Sequence, residues 1–428
     1  SNRAELARTH ARRGGVADPA VDIGGEGRER RGPSVSPART PNEAMRVGLI
    51  GHLLSFEPTY RQAGVSRYAE ALVRELPAAD PSLDLVVFTG PDRPPEDREF
   101  PEEVRWRHAR LRTGQPVQRI AWEQTVGLTI GRRWGLDVVH APVNVAPLVT
   151  GVPRVVTVHD LAFHLFPEQY PGRKQRYLRA MTRLSVRRAA RGVSVSEATR
   201  RGIIRPYDAA PARGVTLPNG VGAEMRPLGP DAVAPFRAER GLDTPVLLFL
   251  GTLQPRKNLE TLLKAYARTA GETGWQLVVA GAAGWQHEPI FALARELGVA
   301  QTVRFIGFVP PEELPIWYNA ADAFVYPSLY EGFGLPLLEA MACGTPVVAS
   351  ETPALREVVG NAGLVVGPRD VPALAQALLQ LARAPELRQE LATRGLRRAR
   401  EYSWRRTAAE TAAVYRAAAS MTRGQRTA

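Results

Sequence analysis

Cysteine is nearly absent from these 428 residues: Cys343 stands alone, which excludes an intrachain disulfide and a cysteine-built metal site and favours a reducing compartment. No uninterrupted apolar run reaches the roughly 18 residues of a membrane-spanning helix. His159 and His164 lie five apart, with no H-E-x-x-H around them, so zinc is not expected there. Asp-x-Asp is missing, and so is G-x-G-x-x-G after the first strand, which removes the dinucleotide fingerprint of nicotinamide enzymes. Aromatic residues make up 7% and are not interleaved with basic clusters, so a nucleic-acid partner would rest on charge alone.

What is present points to a globular chain of two similar domains, with 44% hydrophobic and 23% charged residues. Residues 1–44 carry eight Arg and six acidic residues, no apolar periodicity and no hydrophobic signal core, and read as a disordered extension. A strand follows directly after Met45, so a translation start at Met45 is the expectation. The formal net charge is +13. Most of it sits outside the tail, which is compatible with a phosphorylated substrate or peripheral contact with an anionic membrane.

One stretch organises the rest. Ala323 to Tyr326 suits a buried parallel strand; Tyr330-Glu331-Gly332-Phe333-Gly334 is a glycine-rich turn; Leu335-Pro336 opens a helix, where proline is tolerated; and Val347 begins another strand. Glu331 then lies beyond a strand's carboxyl end, where open α/β sheets bind ligands. Glu339 lies about one turn inside the helix. Gly332 and Gly334 would let the backbone approach a ligand and present N–H groups to an anion. Amide donors for phosphate beside carboxylate acceptors for hydroxyls fit a sugar nucleotide.

Glu331 through Glu339, embedded in Glu-Gly-Phe-Gly-Leu-Pro-Leu-Leu-Glu-Ala-Met-Ala-Cys-Gly-Thr-Pro, resembles the E-x7-E signature of retaining glycosyltransferases, and the surrounding run looks like family 4 of those enzymes. The resemblance spans roughly Met45 to Ala419. It implies an α/β fold of the GT-B type, two Rossmann-like domains facing each other across a cleft: residues 45–222 on the acceptor side, 223–402 binding the nucleotide sugar, and 403–428 a helix crossing back to the first domain, then a tail.

Further motifs carry the resemblance residue by residue. Arg256-Lys257 after the strand Val246 to Leu250 corresponds to the family's diphosphate-binding pair. A forked guanidinium and a compact ammonium there would stabilise the charge that builds on a departing diphosphate and could replace a metal. His159-Asp160-Leu161 resembles the family's His-Asp element against the donor sugar. Gly64, at a helix start, matches half of the usual Gly-Gly. Phe308 and Val309 fall in the base-contacting turn, and Gly332, Phe333, Gly334 and Leu335 on the donor loop, with Glu331 a sugar-hydroxyl ligand and Glu339 a ribose ligand.

The expected catalytic set is therefore His159, Arg256, Lys257 and Glu331, with no metal and no cofactor. The co-substrate is GDP-mannose or a UDP-sugar, and Phe163 and Pro167 after the His-Asp element resemble the mannosyltransferase-like members. The acceptor is a glycan, a lipid-linked sugar or a small molecule, and the setting is cytoplasmic or peripheral on the cytoplasmic membrane face. Alternatives are a UDP-sugar-dependent glucosyl- or N-acetylhexosaminyl-transferase, and a catalytically silent sugar-nucleotide-binding subunit. Two further expectations concern the first half. Strands ending in His140 and His159 would point at one cleft, and a helix over Arg173 to Arg191 would carry Arg176, Arg179, Arg183 and Arg187 as one stripe, with Tyr177, Leu178, Met181 and Leu184 on another side.

Overall fold

Among the described residues thirteen strands, most of them short apolar runs, all pair in parallel. The computed structural model describes residues 44–56, 64–91, 93–95, 98–110, 115–125, 127–207, 210–282, 284 and 288–426; the expected disorder of the tail lies outside them. β1 (Met45–Ile50), β2 (Leu83–Thr89), β3 (Arg105–His108), β4 (Val138–Ala141), β5 (Arg154–Val158), β6 (Arg191–Ser194) and β7 (Gly214–Thr216) make a sheet in the order β3-β2-β1-β4-β5-β6-β7. β8 (Val246–Leu250), β9 (Gln276–Ala280), β10 (Val303–Gly307), β11 (Ala323–Tyr326), β12 (Val347–Ser350) and β13 (Leu364–Val366) make a second, in the order β10-β9-β8-β11-β12-β13.

In each sheet the chain runs outward from a central strand on one side and resumes on the other. The reversal falls between β1 and β4, where Leu49 pairs with His140, and between β8 and β11, where Leu248 pairs with Phe324. Such switch points open a crevice beyond the carboxyl ends of the strands, and both candidate motifs of the second half lie there.

Burial on both faces explains the continuous apolar runs. In β8, Val246 and Leu248 join a core with Phe324, Leu338 and Met341, whereas Leu247 and Phe249 pack with Leu262, Leu277 and Leu378 on the opposite face. The period of two thus divides one strand between two cores.

The helix Trp404–Arg426 returns to the first sheet. Its Ala408, Ala412, Tyr415 and Ala418, spaced at three and four residues, are buried against Val47, Tyr68, Leu72 and Val155. Small residues on that stripe let the helix approach closely. Thr407 Oγ1 donates to the carbonyl of Pro218 at 2.7 Å. Val221 bridges Ser403, so the outgoing and returning crossovers lie side by side.

His140 departs from expectation. It faces the core, fully buried, with Nδ1 2.7 Å from Tyr415 Oη and Nε2 2.8 Å from Thr157 Oγ1, itself 3.1 Å from Tyr68 Oη. The histidine ties the last helix to the first sheet and does not line the cleft. Tyr415→Phe is expected to cost about 1–3 kcal/mol, because it strands His140 Nδ1 without water. A denaturant midpoint equal to that of the wild type would overturn this role.

The arginine helix, Gly172–Arg188, departs in a different way. Arg176, Arg179, Arg183 and Arg187 are all exposed, as their spacing requires. The buried residues, however, are the polar Gln175, Thr182 and Ser185, while Leu184 is exposed. Bonds to neighbouring segments account for two of the three: Ser185 Oγ accepts from the amide of Ala146 at 3.0 Å and Gln175 Nε2 donates to the carbonyl of Phe163 at 3.3 Å, whereas Thr182 Oγ1 is buried without a partner. Among the described residues no helix is long and apolar enough to cross a membrane.

Candidate active site

The two switch points open onto one cleft of about 850 Å³, in the upper part of the range typical of ligand sites. Its wall from the first lobe includes His52, Gly64, Arg67, Arg119, His159, Asp160 and Lys174, and its wall from the second lobe includes Arg256, Lys257, Phe308, Val309, Glu331, Gly332, Phe333, Gly334 and Leu335. Of the expected catalytic and donor-binding residues, only Glu339 falls outside this lining.

Arg256 and Lys257 sit in the one-turn helix Pro255–Lys257, after β8. Asn258 follows at φ 59°, the single non-glycine positive φ among the described residues. Its side chain holds that turn, with Nδ2 donating to the carbonyl of Pro327 at 2.9 Å and Oδ1 accepting from Thr261 Oγ1 at 2.8 Å. Both cations are thereby aimed at the loop after β11. Lys257 Nζ donates to Glu331 Oε1 at 2.7 Å and to Tyr326 Oη at 2.6 Å. Arg256 Nη1 lies 2.9 Å from Glu331 Oε2 and donates to the carbonyl of Tyr330 at 2.6 Å.

These three side chains are only 10–12% exposed. Burial alone would raise the Glu331 carboxyl, but the charges of Arg256 and Lys257 hold it down at about 2. Burial lowers the Lys257 ammonium, a shift that Glu331 only partly offsets. The cluster is two cations against one carboxylate, so it retains positive charge for an anion.

Opposite stands His159. Its Nε2 donates to the carbonyl of Pro142 at 2.9 Å, and its amide donates to Asn144 Oδ1 at 3.1 Å. Burial keeps the ring's pKa below the ordinary value; with its proton on Nε2, the ring offers Nδ1 as an acceptor. The backbone of His159 meets the second lobe directly. A Cβ built on Gly332 would stand 1.7 Å from the His159 carbonyl oxygen, so glycine is required there by contact between the lobes.

The Gly332 carbonyl accepts from Ser196 Oγ at 2.6 Å and Thr199 Oγ1 at 3.0 Å. Ser196 also caps the helix Glu197–Tyr207 by accepting from the Thr199 amide at 3.0 Å. Glu357 of the second lobe accepts from the amides of Glu197 and Ala198 at 2.9–3.2 Å, placing a carboxylate at a helix N-terminus. Gly334, at φ 110°, begins the turn into the helix Leu335–Ala342 and packs against Leu355. At Gly64, by contrast, a Cβ would meet nothing, so the first turn of its helix faces open cleft.

Glu339 is fully buried. Tyr318 Oη donates to its Oε2 at 2.9 Å, and Arg67 of the first lobe pairs with Oε1. Burial pushes the Glu339 carboxyl up against the pull of Arg67 and Tyr318. The carboxylate that should meet a ribose is therefore occupied by an arginine that itself lines the cleft. Arg67, three residues beyond Gly64 in the same helix, was not singled out from the sequence. A cation one turn into a cleft-facing helix was the available signal, whereas Glu357 offered none.

Two buried histidines give the fold an acid limit. Burial, with lesser help from neighbouring charge, lowers both His52 and His140 to about 3, against an ordinary value near 6.5. The unfolded chain therefore binds more protons between those values, and their contribution to stability is full above about pH 6.5 and shrinks as pH falls towards 3. The thermal midpoint should decline from pH 7.5 to pH 5. A midpoint that holds or rises on acidification would sink this reading.

Residues 63–224 match the family described as Glycosyltransferase Family 4, and residues 234–398 match Glycosyl transferases group 1. The O-antigen chain mannosyltransferase B of Escherichia coli is 34% identical over 370 residues, 83% of this chain and 97% of the other. A D-inositol 3-phosphate glycosyltransferase of Frankia alni is 38% identical over 313 residues, 69% of this chain and 72% of the other. Among solved structures, sucrose-phosphate synthase from Thermosynechococcus elongatus superposes with a TM-score of 0.70 at 24% identity, over 87% of this chain and 98% of that one. Two parallel sheets around one cleft, a last helix that crosses back, and a curated relative that runs alongside most of the sequence place the chain in glycosyltransferase family 4, with the GT-B fold.

Proposed function

We propose that this protein is a retaining, metal-independent transferase that moves a sugar, mannose favoured, from a nucleotide diphosphate sugar to a hydroxyl of a glycan, a lipid-linked sugar or a small molecule. The observation that carries this reading is the convergence of Arg256 and Lys257 on Glu331 at the floor of the cleft, 2.7–2.9 Å from its oxygens. On this reading residues 45–222 hold the acceptor and residues 223–402 the donor.

Glu331 occupies the two cations. An arriving diphosphate takes them over, and Glu331 is released towards the hydroxyls of the transferred sugar, with Glu339 answering the ribose once Arg67 moves aside. The acceptor oxygen then bonds to the anomeric carbon on the face the diphosphate leaves. The bond from that carbon to the diphosphate oxygen breaks, and the acceptor proton passes to the leaving phosphate. Charge builds on the diphosphate during this step, so Arg256 and Lys257 favour the transition state over the ground state. The name of the E. coli relative supports mannose; that of the F. alni relative supports a small phosphorylated acceptor.

The exposed arginines of Gly172–Arg188 fit a place on the cytoplasmic face of an anionic membrane. A silent binding subunit is the rival reading, which the complete Arg256, Lys257 and Glu331 set disfavours. Incubation with GDP-mannose and UDP-sugars, without acceptor, tests it: slow hydrolysis of one donor supports a transferase, and tight donor binding without any hydrolysis or transfer supports the silent subunit.

A further inference from the structure

Beyond the donor floor the cleft continues to the loop after β1, where the first lobe gathers two cations and a histidine whose ring nitrogens have no partner. His52 is 5% exposed, lines the cleft, and has no hydrogen-bond partner at Nδ1 or Nε2. Its ring is held edge-on to Trp122, centroids 4.2 Å apart. Arg119, in the helix Pro116–Thr125, lines the same space. Its ion pair with Glu123 one turn on is stretched to 3.7 Å, beyond an ordinary hydrogen bond. Tyr177 Oη is buried and without a partner. Lys174, one turn before Tyr177 in Gly172–Arg188, lines the cleft, its ammonium 5.9 Å from the centroid of the Tyr170 ring.

Charge selects the ligand class. The described lining holds Arg67, Arg119, Lys174, Arg256 and Lys257 against only Asp160 and Glu331. Glu331 engages Arg256 and Lys257, which on the proposed function serve the donor diphosphate. Arg119, held only by the 3.7 Å contact with Glu123, and Lys174 are the cations left for a second anion, a forked donor and a mobile ammonium of the kind that binds phosphate. The neutral His52 ring, with one N–H and one lone pair, suits a hydroxyl, and a buried imidazole without a partner is costly unless a ligand satisfies it.

We propose that His52, Arg119 and Lys174 form an acceptor subsite for a phosphorylated sugar or polyol, His52 meeting a ring hydroxyl and the two cations the phosphate. This deepens the transferase reading and rests on it. The phosphate can come from a soluble monophosphate or from the diphosphate of a lipid-linked sugar.

Calorimetric titration of the full chain saturated with nucleoside diphosphate distinguishes these cases without needing turnover. The probes are myo-inositol against its monophosphate, mannose against mannose 6-phosphate, and a water-soluble short-prenyl diphosphate sugar against the same sugar without the diphosphate. The phosphorylated member of at least one pair should bind about tenfold tighter or more, and the pair that responds identifies the source. In Arg119→Gln with Lys174→Gln the preference should collapse to within about twofold. Equal binding within every pair, or a preference that survives both substitutions, overturns the subsite. The transferase reading fails on a separate count, the absence of donor hydrolysis and transfer, which these titrations do not touch.

Discussion

Lys257→Ala is expected to lower turnover about 10²–10³-fold and to leave the protein folded. On the proposed function the ammonium is one of two charges at the departing diphosphate, and removing one fixed donor at a developing oxyanion typically costs that much. The loss should fall mainly on kcat, because the charge on the leaving group grows between the bound donor and the transition state. Stability should change little, since Glu331 keeps its 2.9 Å contact with Arg256 and does not become an unpaired buried carboxylate.

Glu331→Ala tests the same cluster from the other side. It frees both cations from their partner but, on the proposed function, removes a ligand of the transferred sugar. Turnover should fall by orders of magnitude even if nucleoside diphosphate binding strengthens. Near-normal turnover in both variants would remove the assignment of this cluster to the donor.

Much of this was legible because parallel strands buried on both faces are written as uninterrupted apolar runs. Ala323–Tyr326 and Val246–Leu250 could be delimited from the sequence, each bounded by a polar residue, proline or glycine. The donor loop was legible for a different reason: Glu331, the two glycines and the proline in the first turn of the next helix occur within a few residues of one another, so local order alone places them beyond a strand. Arg256 and Lys257 could be read in the same way.

Side-chain partners contributed from the other lobe could not. Nothing near Glu339 in the sequence announces Arg67, and nothing near Glu197 announces Glu357. His140 and His159 both end apolar strands and look alike as residues. One is locked between Tyr415 and Thr157 by the returning helix and the other meets the cleft. The helix Gly172–Arg188 shows a further limit: its buried face is polar, because Gln175 and Ser185 bond to backbone groups that periodicity does not see.

Gly332→Ala should be the most damaging change that adds a single methyl group. The new Cβ would stand 1.7 Å from the carbonyl oxygen of His159 and 2.8 Å from its carbon, and backbone cannot yield as a flexible side chain does. The lobes must separate or the donor loop must shift, and either movement breaks the bonds from Ser196 and Thr199 to the Gly332 carbonyl. Glu331 precedes this residue, so its carboxylate and His159 move relative to each other. Misplacement of about 1 Å can cost 10²-fold in rate, and a loss of that order is expected in transfer and in donor hydrolysis alike. Each lobe keeps its own core, so circular dichroism should remain that of the wild type. Small-angle scattering should show a wider or more variable separation of the lobes. Wild-type rates in Gly332→Ala would mean that this contact between His159 and the donor loop is not needed for the working site.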